Sequence, residues 1–306
     1  MRPSPWSWTS RLLFLVLITA WGFNFLFVRV GLTDASPLWL AFLRAAIGTA
    51  TAAVLLSGLG GWGRLDARGR RDALLLGLPN TTAFYGLVFV SIQAILPGIS
   101  AVLVYTFPLW VALLSPALLG HRMGQRHWGF VGAGFLGIAL ISLIGSTATL
   151  GVSLVPMAES LAAAVAWGVG TVLFQRRFSR AEMLEANVYQ LIGGTAGLAV
   201  LTLLWVPVPL PTFTPALDVS LIWLGVLGTA LAYSIWFDLL GRTRAATLSA
   251  YAFLVPVVAM VGSAIFFQET LAPLQLVGVA LVLVSIYGIG RAPGAGEPIP
   301  PLAPAE

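Results

Sequence analysis

Residues 81–108, TTAFYGLVFVSIQAILPGISAVLVYTFP, have a counterpart at residues 229–256, TALAYSIWFDLLGRTRAATLSAYAFLVP. Thr81, Tyr85, Phe89 and Pro108 return as Thr229, Tyr233, Phe237 and Pro256, each 148 positions on. Four-residue spacing aligns the Thr, Tyr and Phe on one helix face. What is repeated is therefore a polar and aromatic stripe followed by a helix breaker. The pairing continues through apolar sequence to Ser115/Ser263 and His121/Glu269. Trp21-Gly22 also recurs, as Trp167-Gly168, 146 residues on. The chain reads as two related units, residues 1–148 and 149–291. A Pro-rich tail at 292–306 has no periodicity and is expected to be disordered.

Composition fixes the solvent. The chain is 58% hydrophobic and only 9% charged, with a mean hydropathy of +0.95. Soluble chains carry about 25% charge, so a soluble domain is excluded. In lipid only helices or a closed barrel satisfy the backbone, and the apolar blocks lack the alternation of barrel strands. Ten blocks reach spanning length, at 11–30, 36–57, 72–91, 95–119, 127–146, 152–174, 185–205, 219–240, 246–267 and 272–290. The expected fold class is an all-α membrane protein of ten transmembrane helices.

Arginine sets the orientation, because the sixteen basic residues are all Arg and basic loops stay cytoplasmic. Arg2 and Arg11, the loop Arg64 to Arg71, Arg122 and Arg126, Arg176 to Arg180, Arg242 and Arg244, and Arg291 fall on one side if each block crosses once. Both termini are then cytoplasmic, and a bacterial inner membrane is the expected location. Five spans per unit is odd, so the second unit enters with the opposite direction. Inverted repeats of this kind are a transporter plan, with substrate near the midplane.

Several classes drop out. A pI of about 10.2 invites a nucleic-acid partner, but the charges lie in short loops where orientation accounts for them. There is no Cys for disulfides, thiolate metal sites or a nucleophile. The N-terminal run continues past Trp21-Gly22, a poor cleavage site for a signal peptide. Neither His lies deep in a span and no two carboxylates are close within one. No catalytic residue, metal or cofactor is expected. The expected partners are a small-molecule substrate and the lipid bilayer, no nucleic acid, with a monomer as the working assembly.

Ala20-Trp21-Gly22-Phe23-Asn24-Phe25, Pro37 with Arg44, and Tyr105-Thr106-Phe107-Pro108 to Leu119-Gly120 resemble the EamA family of the drug/metabolite transporter superfamily. Phe266-Phe267-Gln268-Glu269-Thr270 is similar to the family's acidic end of a repeat's fourth helix, whereas the first copy has His121 there. The resemblance implies metabolite movement, many members exporting amino acids, through a cavity between the repeats. Amino acids with aromatic or apolar side chains are the expected cargo. A drug or nucleoside carrier of the same superfamily, or a pore, is the alternative.

Ionisable groups within a span are functional candidates by default. Arg44 and Glu159 each lie about seven residues from an outer helix end, roughly 10 Å deep. Either Arg44 takes a substrate carboxylate and Glu159 its ammonium, or the two form a structural lock by pairing with each other or capping backbone carbonyls. Glu159 is also the candidate for proton coupling. Gln190 stands 146 after Arg44, and it and Asn24 either line the cavity or join helices. Trp21, Trp167, Tyr85, Tyr105, Tyr233 and Tyr251 are the candidate aromatic walls. Pro108 and Pro256, near mid-span, are hinges or static kinks. Asp238 and Arg242, one turn apart, read as an interfacial ion pair.

Overall fold

A backbone without water must bond to itself, and the described residues accordingly form helices joined by turns, with no strand among them. The computed structural model describes residues 8–119, 125–148, 154–204, 209–242, 245, 248–249, 252, 254–268 and 272–291. The helices are α1 (Trp8–Gly31), α2 (Pro37–Gly58), α3 (Ala67–Ala94), α4 (Pro97–Val104), α5 (Phe107–Leu119) and α6 (Gln125–Ala148). There follow α7 (Leu154–Arg177), α8 (Met183–Leu204), α9 (Pro215–Leu240), α10 (Leu254–Phe267) and α11 (Pro273–Arg291). Among the described residues seven helical stretches are long and apolar enough to cross a membrane: α1, α2, α3, Pro97–Leu114, α7, α8 and α9. Shorter apolar helices at Trp128–Gly137, Leu254–Phe267 and Leu276–Ser285 occupy the places of the remaining three blocks.

Starts follow local chemistry. Pro37, Pro97 and Pro215 open their helices in the first turn, where an absent N–H needs no partner. Asp66 caps α3 by accepting from Gly69 N at 2.6 Å. Thr214 caps α9 by accepting from Leu217 N at 3.2 Å.

The two prolines expected at mid-span are placed differently. Pro108 is the second residue of α5, after a break at Tyr105 and Thr106. There Thr106 Oγ1 donates to Leu103 O at 2.6 Å, and Leu109 N donates to Thr106 O at 2.8 Å. Pro256 is the third residue of α10. Both belong to a helix restart rather than an interior kink. The fourth block is two rods end to end, which its unbroken apolar sequence conceals.

α3 and α9 share a different irregularity. Each carries a widened π turn, Leu78–Ala83 in α3 and Trp223–Leu231 in α9. Such turns are rare and concentrate at functional sites. The first, advanced by the 148-residue offset of Thr81 to Thr229, falls within the second. Contacts recur at the same spacing. Gly48 of α2 packs on Thr229, and Gly194 of α8 packs on Thr81, with no room for a Cβ at either glycine. Between them the hydroxyls of Thr49 and Thr195 lie 2.8 Å apart, joining α2 to α8.

One recurring contact exchanges its members. Asn24 of α1 lies against Gly228 of α9, while Asn80 of α3 lies against Gly170 of α7. Asn24 and Gly170 are 146 positions apart, and Asn80 and Gly228 are 148 apart. The amide comes from the earlier helix pair's α1 in one contact and from α3 in the other, and the glycine makes space for it each time.

Candidate functional site

The stripe Thr-Tyr-Phe converges on Arg44. Arg44 is 4% exposed, an expensive place for a cation. Its Nε donates to Thr229 Oγ1 at 2.9 Å and its Nη2 donates to Gly228 O at 3.2 Å. Thr229 Oγ1 in turn donates to Leu224 O at 2.8 Å, five residues back in the π turn. A hydroxyl has one donor and two acceptor positions, so the Tyr85 OH, 3.1 Å away, donates to the same oxygen. The Asn24 amide is satisfied when Nδ2 donates to Ala20 O at 3.1 Å and Oδ1 accepts from Arg44 Nη2 at 3.0 Å. The π turn thus supplies both the Gly228 carbonyl and the threonine that hold the arginine.

Neutral groups hold this cation. The salt bridges among the described residues involve Asp72 and Asp238, and no carboxylate pairs with Arg44. Its face lies 4.1 Å from the Tyr85 ring centroid and 5.6 Å from that of Phe89, attraction that offsets part of the desolvation. Nη1 has no protein acceptor among the described residues, and Arg44 lines a cavity of about 40 Å³. That is space for a few waters.

The remaining wall is aromatic. Trp21 meets Trp167 edge-on with centroids 6.1 Å apart, and Tyr233 at 6.0 Å. Tyr233 lies 5.1 Å from Trp167, and Tyr105 lies 6.4 Å from Trp21. Trp21 Nε1 donates to Gly228 O at 3.2 Å. The Tyr233 hydroxyl is buried with no hydrogen-bond partner. Trp21, Asn24, Arg44, Tyr85, Tyr105, Trp167 and Tyr233 all line the one cavity.

Other expected residues lie elsewhere. Glu159 lines a second, larger cavity of about 740 Å³ with Ser36, Gln93 and Leu201. Arg44 and Glu159 therefore neither pair nor line the same cavity; instead Arg44 caps the Gly228 carbonyl. Gln190 is a link between helices, accepting from Asn80 Nδ2 at 2.8 Å and donating to Asn187 Oδ1 at 3.1 Å. Tyr251 lies outside the described residues, as do His121 and Glu269. Asp238 and Arg242 form the expected ion pair at 2.8 Å.

Sequence reasoning overlooked Thr229 as a ligand of the arginine, although its stripe with Tyr233 put it on the right face. It also missed Phe84, which packs on Trp167 at 5.0 Å, and Phe107, which faces the cavity. A third omission is Glu185 of α8, 1% exposed. Its Oε2 accepts from Arg64 N at 2.6 Å and Leu65 N at 3.0 Å, tying down the segment before α3.

With this geometry in hand, comparison with known proteins gives a consistent family. The profile of the EamA-like transporter family matches twice, over residues 8–143 and 153–291. An uncharacterized transporter of Bacillus subtilis (strain 168), YvbV, is 28% identical over 281 residues, covering 90% of each chain. A probable amino-acid metabolite efflux pump of Salmonella typhimurium (strain LT2) is 26% identical over 287 residues, covering 89% of this chain and 92% of its own. A protein of known crystal structure superposes with a TM-score of 0.68 at 18% identity, over 92% of this chain and 97% of its own. That likeness shows the shared fold.

Proposed function

Because this chain belongs to the EamA-like transporter family, we propose that it is a secondary carrier exporting small carboxylate metabolites, amino acids with aromatic or apolar side chains foremost. The observation that carries the proposal is Arg44, a buried cation held by neutral groups, with Nη1 uncommitted beside an aromatic-walled cavity. A carboxylate fits Nη1, since arginine pairs with planar anions through parallel N–H groups. Rings of Trp21, Tyr105 and Trp167 bury an apolar side chain and favour aromatic ones by edge contacts. The efflux relative with 26% identity supports this cargo.

Alternating access supplies the mechanism. The double family match and the recurring Gly-Thr and Asn-Gly contacts support ten helices in two inverted five-helix units, residues 1–148 and 149–291. Both termini are cytoplasmic in this reading, and the membrane is a bacterial inner membrane. In this reading, rocking the units opens and closes the aromatic cavity around the cargo. The broken rod α4–α5 and the start of α10 lie where that movement can be absorbed, with Pro108 and Pro256 fixing the first turns.

Counterflow in liposomes tests the assignment. Phenylalanine preloaded inside is expected to accelerate uptake of labelled phenylalanine with saturation, and phenethylamine, lacking the carboxylate, is expected to fail. Equal exchange of the acid and the amine would remove Arg44 from the substrate site. Flux linear in concentration would indicate a pore.

A further inference from the structure

The second cavity, about 740 Å³, is used by no step of the transport cycle above. It is bounded by the outset of α2, the outer part of α3, the start of α7 and the end of α8. Its lining runs along α3 from Gln93, next to the last residue, to Thr82 in the π turn. Eleven residues at 1.5 Å each give a depth of about 16 Å, and one leaflet of a bilayer core is about 15 Å. Ser36, Gln93 and Glu159 are the cavity's polar residues toward the helix ends, Thr82 lies at the deep end with its hydroxyl donating to Gly194 O at 2.9 Å, and Leu87, Val90 and Leu201 form the apolar wall.

The polar end is electrostatically unfinished. Glu159 makes no hydrogen bond or ion pair among the described residues, and its neighbour in the lining, Ser36, has a buried Oγ with no partner. Outside the lining, at the adjoining end of α3, Arg29 Nη1 donates to Ile92 O at 2.9 Å and to the carbonyl of the lining residue Gln93 at 3.4 Å. One carboxylate therefore lines the groove, and one cation sits at the adjoining end of α3. A half-exposed carboxylate beside lipid calls for a cationic partner, and the exposed guanidinium for an anionic one.

We propose that this groove holds one phospholipid with a phosphoethanolamine headgroup, its ammonium on Glu159, its phosphate toward Arg29 and an acyl chain along Leu87, Val90 and Leu201. The ammonium matches the carboxylate in the lining, the phosphate matches the cation at the end of α3, and the single-leaflet depth matches the chain. The site is independent of which cargo the Arg44 cavity takes.

Native mass spectrometry of the purified full chain tests this. The protein is offered equimolar phosphoethanolamine and phosphoglycerol lipids with identical acyl chains. One phosphoethanolamine lipid per chain is expected, retained at least about tenfold over the phosphoglycerol lipid, an equivalent of ~1.4 kcal/mol. Glu159→Gln is expected to lower its retention to the phosphoglycerol level without changing the melting temperature of the lipid-free protein. Val90→Trp, which fills the slot and keeps the carboxylate, is expected to give the same loss. Arg44→Gln is expected to leave retention intact, separating this site from the transport cavity. Equal retention of the two lipids, or unchanged retention in Glu159→Gln and Val90→Trp, overturns the proposal. Protection by dodecylamine without protection by the phosphoethanolamine lipid also overturns it, and identifies a soluble amphipathic amine instead.

Discussion

The Arg44 guanidinium lies 4.1 Å from the ring centroid of Tyr85, and both side chains reach the same oxygen, Thr229 Oγ1, at 2.9 and 3.1 Å. Three helices thus converge on one hydroxyl. The ring and the hydroxyl hold the charge in place while leaving Nη1 for a ligand. Binding and positioning are separable on this arrangement, and substitutions can address them one at a time.

Arg44→Gln removes the charge and the planar fork. The apparent affinity for phenylalanine in liposome counterflow is expected to fall by about 10–100-fold, the loss of roughly 1.5–3 kcal/mol for a hydrogen bond to a charged group. Arg44→Lys keeps the charge without the bidentate geometry and is expected to recover only part of the affinity. Wild-type kinetics in both variants would exclude the carboxylate contact.

Tyr85→Phe keeps the ring beneath the guanidinium and deletes the bond to Thr229. A stability loss of about 0.5–1.5 kcal/mol is expected, visible as a lower melting temperature in detergent. Tyr85→Leu also removes the cation–π contact and is expected to lower affinity as well as stability. A tighter-binding Tyr85→Leu protein would contradict this division of roles.

Gly170→Ala places a methyl where the Asn80 amide lies. Overpacking of this kind typically costs about 1–3 kcal/mol. Asn80→Ala in the same chain is expected to restore much of the melting temperature by vacating the space, although it strands Gln190 Oε1. Additive losses in the double variant would show that the two positions do not share that volume.

Glu185→Ala leaves Arg64 N and Leu65 N without their acceptor. The cost is expected to be about 1–3 kcal/mol, with proteolysis accelerating first in the segment before α3. By contrast Asp238→Asn breaks an exposed pair and is expected to change stability by less than about 1 kcal/mol. The ratio of these two losses, measured by thermal unfolding, checks the burial argument.

Much of the site was legible because it repeats. Trp21, Tyr85, Trp167 and Tyr233 are read from paired positions and four-residue stripes, Arg44 from its charge within a span, and all five line one cavity. Azimuth was misjudged for Glu159: its four-residue spacing with Ala163 and Trp167 suggests one face, yet eight residues turn a helix by about 80° from its start, and Trp167 lines the aromatic cavity while Glu159 lines the other. The break at Tyr105–Thr106 escaped notice for another reason. Its flanking turns are buried and apolar, so no polar loop marked the interruption. The π turns leave no residue signature at all; only the match between Thr81 and Thr229 hinted that these places were alike.

The exchange of amide and glycine between Asn24–Gly228 and Asn80–Gly170 bears on what a half-length polypeptide could do. Two copies of residues 8–143 would press amide against amide at both crossings, while two copies of 153–291 would leave paired hollows. On the two-unit arrangement proposed above, neither portion reproduces the amide-on-glycine packing with a copy of itself. Ancestral reconstruction of a self-pairing version would have to begin by resetting one member of each couple.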